Sequence, residues 1–174
     1  MPEKPKEKPE PIFSIITNDD RDSIAQLLNI ISKEGFDEID SSDIDSHIFV
    51  LNKNGGVGIK TEANGKLVGV CLAPVNPTRN FISLELIAIH PTYRNSLVVK
   101  KMLESVLDTA KRNNMDIVTY ARESTSFKLF HNPRVIKWIE NKGFEVSDAE
   151  LPEFYSEEQF SHQEKYYKFT LKKL

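Results

Sequence analysis

The most apolar run of the chain, FISLELIAI from Phe81 to Ile89, contains one ionisable residue, Glu85. A desolvated carboxylate resists ionisation, so in such a run it would be a stronger base near neutral pH. The plainer alternative is a glutamate satisfied by a backbone amide or an arginine. His90 and Pro91 end the run, and after Arg94, Asn95 and Ser96 the residues Val99, Met102, Leu103, Val106, Leu107 and Ala110 recur at helical spacing. A strand that feeds a helix start brings free N–H groups and the positive end of a helix dipole together, which suits an anion such as a phosphate. Lys100 and Lys101 could add charge there, or simply form a solvated face. Other chemistries fare worse. His47, His90, His131 and His162 are scattered without ligand spacing and no cysteine pair exists, so no metal site is expected. Cys71, in the middle of an apolar strand, reads as a small buried hydrophobe, and Trp138 as a packing residue.

The elements that must position these residues follow from periodicity. A short strand over 13–16 is expected, then a helix capped by Asn18, Asp19 or Asp20 with Ile24, Leu27, Leu28 and Ile31 on one face, stopped at Gly35. The acidic stretch 37–46, DEIDSSDIDS, lacks the glycine and terminal glutamate of a calcium loop and reads as a solvated helix or loop. Strands over 57–62 and 66–73 flank Asn64-Gly65, a dipeptide suited to a tight hairpin. The run 81–89 is read as one central strand, whose alternation puts Ser83, Glu85 and Ile87 on one face. A long helix over 96–114 follows, then a strand over 116–121. A helix over 133–142 opens with proline and stops at Gly143, and strands over 144–146 and 165–171 close the order.

Composition bounds the rest. At 174 residues, 39% apolar and 28% charged, the chain suits one domain. A formal charge of −3 argues against a dedicated nucleic-acid binder. A single cysteine fits a reducing compartment, and neither a signal peptide nor a membrane span is apparent, so a cytoplasmic location is expected. Residues 1–11 carry four prolines among Lys and Glu and read as a disordered tail, leaving 12–174 as the domain.

The stretch LELIAIHPTYRNSLVVKKML resembles the cofactor motif of the GNAT superfamily of N-acetyltransferases, and NPRVIKWIENKGF, Asn132 to Phe144, resembles their second motif. The element order over 13–172 is also similar to theirs. The resemblance implies a single α/β domain with a mixed, mostly antiparallel central sheet flanked by helices. It also implies acetyl-CoA or another acyl-CoA as co-substrate, and a small-molecule or peptide amine as acceptor. By the same resemblance Glu85 is the catalytic base. Ile87, Ala88 and Ile89 meet the thioester and pantetheine through their backbone. Arg94, Asn95, Ser96, Leu97, Val98, Val99 and Lys100 form the phosphate loop, with Asn132 completing the cofactor site. The chain departs from the family pattern where the loop's two small residues are Leu97 and Val99, with no glycine between Gly69 and Gly143. The tyrosine that commonly protonates the leaving thiolate is replaced by Ile139, leaving Tyr120, Tyr155 and His131 as substitutes. The rival expectation is a degenerate domain kept as a binding or structural module. Acceptor choice would lie with 30–55 and 147–164, the latter carrying Asp148, Glu150, Glu153, Glu157, Glu158 and Glu164, a field favouring a cationic amine. A homodimer could form through the last strands if a sheet edge is open.

Overall fold

Asn64 and Gly65 both take positive φ, 53° and 72°, and close the hairpin between β2 (Gly56–Ala63) and β3 (Lys66–Asn76) as the dipeptide predicts. This hairpin anchors the sheet in the computed structural model of the protein, which describes residues 10–32, 41–94, 96–122, 129–150 and 166–174. Asn95, Tyr155, His162, Gly35, most of the tail and the 151–165 stretch of the acidic segment lie outside those residues. The remaining strands are β1 (Ile12–Ile15), β4 (Phe81–Leu84), β5 (Leu86–Ile89), β6 (Asp116–Arg122), β7 (Phe144–Glu150) and β8 (Tyr166–Lys173). Their order is β1-β2-β3-β4-β6-β8-β7, with β5 on β3 as well; among the described residues every pairing is antiparallel except β4 with β6. The last strand, β8, is thus an interior strand inserted between β6 and β7.

Among the described residues, four α-helices cover the two faces. α3 (Ser96–Arg112) lays Val99, Met102, Leu103, Val106, Leu107 and Ala110 on one face, joined by Ile139 of α4 (Pro133–Asn141) and by Phe144 and Phe169. On the other face α1 (Arg21–Ser32) buries Ile24, Leu27, Leu28 and Ile31 together with Ile44, Ile48 and Leu51 of α2 (Ser41–Asn54). Residues 37–40 of the acidic stretch lie outside the described residues; the rest is helical, the first of its two expected forms, but α2 is buried along one side rather than solvated all round. Ile44, Ile48 and Leu51 sit at helical spacing, and acids such as Asp45 merely occupy the outer face. Asp20 closes the entry to α1: its Oδ2 accepts from the Thr17 N–H at 2.8 Å, and its Oδ1 accepts from Lys60 Nζ of β2 at 2.7 Å. No described helix is long and apolar enough to cross a membrane.

Candidate active site

The strand expected over 81–89 is broken at Glu85. On β3 the register runs Leu72↔Leu86 and then Val75↔Ile82, so Ala73 and Pro74 face three residues, Ser83, Leu84 and Glu85. One residue is extra. The Glu85 N–H donates to the Leu72 carbonyl at 2.9 Å, although Leu72 already pairs with Leu86, and this is the geometry of a β-bulge. The bulge shifts the phase of the side chains. Ile82 and Leu84 lie in the α3-side core, and past the bulge so do Ile87 and Ile89, while Leu86 and Ala88 pack on the α1 and α2 side. Strict alternation therefore fails: Ile87 does not share the face of Glu85.

Past the bulge the sheet forks. β4 pairs with β6 as far as Leu84↔Thr119, after which β6 continues along β8 to Arg122 and β5 stays with β3 alone. At the crotch the buried Thr119 hydroxyl donates to the Leu84 carbonyl at 2.8 Å, capping the ladder where the parallel partner departs. The His90 N–H donates to Val68 at 2.7 Å, and antiparallel alternation then turns the peptide groups of Ala88 towards β3 and those of Ile87 and Ile89 towards the opening. Of the three residues predicted to meet the thioester, Ile87 and Ile89 turn their peptide groups to the opening, and Ala88 turns its own to β3.

The loop beyond is held by its own residues. His90 Nδ1 accepts from the Thr92 N–H at 3.2 Å, capping a 3-10 turn over Pro91–Tyr93. Arg94 Nε donates to the Ile89 carbonyl at 2.9 Å, tying the start of the predicted phosphate loop to the end of β5. The first turn of α3, which begins at Ser96, contains no acidic residue, so its positive end is not offset by its own side chains. The two positions where the motif usually has small residues are unlike. Leu97 is 53% exposed, whereas Val99 is 8% exposed and belongs to the core beside the buried Val98. Lys100 is exposed, and Lys101 sits with its Nζ 5.0 Å from the centre of the Phe13 ring, directed at β1. An acyl-CoA fits this end of the sheet on two observations: an opened strand edge, and a helix start whose bulky side chain at Val99 is turned inwards.

The remaining candidates divide. Asn132 caps α4, its Oδ1 accepting from the Arg134 N–H at 3.0 Å, and Ile139 at the expected tyrosine place is fully buried. Tyr120 follows Thr119 on the far arm of the fork and is exposed; His131 lies edge-on against Phe169. Burial pushes the Cys71 thiol up to about 12, so it stays protonated and is no nucleophile at neutral pH. Among the described residues no group of three His, Cys, Asp or Glu side chains could hold a metal ion.

Sequence reasoning missed His47. It lies on α2 between Ile44 and Leu51 of the buried stripe, and its Nδ1 meets Oε2 of Glu85. The carboxylate is thus partnered rather than enclosed, with its side chain 28% exposed and that of His47 36% exposed. The signal in the sequence was the buried stripe itself, which places position 47 on the boundary of the covered face.

The family model described as the Acetyltransferase (GNAT) family matches residues 22–144. No curated protein matches the sequence. Among solved structures, the fold is similar to diaminobutyrate acetyltransferase from Paenibacillus lautus, in complex with L-2,4-diaminobutyric acid and coenzyme A. The TM-score is 0.73 at 16% identity, over 95% of this chain and 96% of that one. It is also similar to the ribosomal-protein-S18-alanine N-acetyltransferase of Escherichia coli, with TM-score 0.63 and 17% identity over 93% of both chains. A third likeness is to yncA, a putative acetyltransferase from Salmonella typhimurium with acetyl-CoA, with TM-score 0.65 and 16% identity over 94% of both. With the forked sheet, the bulge and the family match covering most of its length, the chain belongs to the GNAT family of acetyltransferases.

Proposed function

We propose that the opening between β5 and β6 is where the acyl donor and the amine acceptor meet, and that the group transferred is acetyl. The family reaction moves an acyl group from acyl-CoA to an amine. The observation that carries the assignment is the bulge, which puts the Glu85 carboxylate at the root of a fork whose β5 edge presents the Ile87 and Ile89 peptide groups. Acyl-CoA supplies the activated thioester carbonyl. In the proposed reaction Glu85 takes the proton from the attacking amine, through water or directly. An N–H of Ile87 or Ile89 donates to the oxygen on which negative charge develops. Arg94, the first turn of α3 and Lys100 hold the phosphates, with Asn95 and Ser96 completing the loop. A free thiol has a pKa of about 8.5, so the leaving thiolate does not require an acid from the protein.

The acceptor we infer is a cationic amine, supported by the acids of segment 147–164. A cytoplasmic location agrees with a single, buried cysteine. Pairing of two copies would use the outer edge of β7, the last strand in the sheet order.

Calorimetric titration with acetyl-CoA, against CoA and the Arg94→Glu variant, tests the donor site. Micromolar binding is expected, weakened at least about tenfold in the variant, which is about 1.4 kcal/mol. An acceptor screen with L-2,4-diaminobutyric acid and an alanyl peptide follows from the neighbours named above. Absence of binding up to millimolar acetyl-CoA would sink the reading, and binding without turnover on any amine would leave the degenerate binding module.

A further inference from the structure

The Glu85 carboxylate has two oxygens, and the structure treats them differently. Oε2 is taken by His47 Nδ1, whereas Oε1 accepts from no described residue. His47 comes from α2, whose Ile44, Ile48 and Leu51 are fixed in the core over β3, so the backbone that carries it is held in place by packing. The bulge fixes the other partner, because the Glu85 backbone is tied to Leu72. Two independently anchored elements thus meet at the His47–Glu85 contact.

We propose that His47 is a positioning residue for the base: its Nδ1–H donates to Oε2 of Glu85, and so leaves Oε1 as the oxygen that receives the acceptor's proton. This rests on the reading of Glu85 as base. A carboxylate on a three-carbon side chain otherwise rotates through several rotamers, and fixing one oxygen removes most of that freedom. The imidazole accepts no proton from the substrate in this scheme. One N–H bond of the amine breaks, one O–H bond forms at Oε1, and solvent, which reaches the part-exposed pair, removes that proton after transfer.

Two measurements test it. Nitrogen-15 NMR of the His47 ring needs no acceptor: Nδ1 should carry the proton in the neutral ring, and this preference should be lost in Glu85→Leu, which removes the accepting oxygen. A neutral ring protonated at Nε2, with Nδ1 bare, overturns the proposal outright. The second is acetyl transfer from acetyl-CoA to L-2,4-diaminobutyric acid and to the alanyl peptide. His47→Leu should lower kcat about tenfold or more with the KM for acetyl-CoA unchanged, while His47→Asn, which keeps a donor near Nδ1, should stay within about threefold of the parent. In a Glu85→Gln background His47→Leu should cost nothing further, since its action runs through the missing carboxylate. Equal losses in the Leu and Asn variants, or an additive loss on top of Glu85→Gln, would mean packing alone and defeat the proposal. Full activity in Glu85→Gln alone would instead remove the base assignment, a failure separable from that of His47.

Discussion

Leu97 and Val99 stand where the family motif usually has small residues, yet they pose different problems. Leu97 is exposed at the start of α3, so its side chain crowds whatever approaches the helix end; Val99 is turned into the core and crowds nothing there. Replacing Leu97 by Gly should therefore tighten acetyl-CoA binding by about threefold or more, against a helix cost of about 1 kcal/mol in stability. Val99→Ala should leave affinity unchanged and lower stability by about 1–2 kcal/mol through lost burial. Calorimetry and thermal unfolding on both variants separate the two effects, and weaker binding in Leu97→Gly would show that the leucine contributes to the site. The sequence alone could not draw this distinction. It displayed both residues as the same departure, because helical spacing says which positions share a face but not which of them meets the cofactor end. Glu85 was legible as a carboxylate in the wrong surroundings, yet its partner was not, since His47 belongs to a distant helix and only folding brings α2 onto the bulge.

At the scale of elements, the fork depends on a strand that pairs with two neighbours over one half and with one over the other. Thr119 bears the transition, because its hydroxyl supplies the donor that the Leu84 carbonyl takes where the parallel ladder ends. Thr119→Val preserves shape and removes that donor. In this buried place the loss should be about 1–3 kcal/mol, a fall of ~2–4 °C in the unfolding midpoint for each kcal/mol, with Thr119→Ser close to the parent. Unchanged stability in the valine variant would show that the carbonyl finds another donor. Elements with self-contained signals were readable: the Asn64-Gly65 hairpin, the long stripe of α3, and α4 with its Asn132 cap. The bulge was not, because it exists only as a count of residues against Leu72 to Val75 on the facing strand. α2 was obscured for another reason, as the eye follows its acids while three well-spaced apolar residues bury it.

For the whole molecule, one contribution to acid stability is the tie between the entry to α1 and β2. Burial alone would raise the Asp20 carboxyl, but its bonds with Lys60 and Thr17 together outweigh that and hold it below the usual value; the bond to Asp20 raises Lys60. The folded carboxyl thus releases its proton more readily than the unfolded one. Its contribution is complete above the unfolded value of about 3.9 and fades as pH falls through the lower, folded value. Lys60 contributes in the opposite sense, fully below about 10.4 and less as pH rises through its raised folded value. Asp20→Asn should cost about 2 kcal/mol at pH 7, and the gap in unfolding midpoint from the parent should close as pH approaches 2. A gap that stays constant down to that pH would assign the cost to packing rather than charge.

The sheet order sets a timetable for synthesis. Because β8 lies between β6 and β7, both depend on a strand made after them, and β7 emerges from the ribosome before the described strand it pairs with. β1 to β4 can assemble with α1 to α3 while translation continues, but the side carrying the far arm of the fork waits for residue 173. A nascent chain arrested before Tyr166 would have the hairpin, the bulge and Glu85 in place, yet would leave the outer edge of β6 bare.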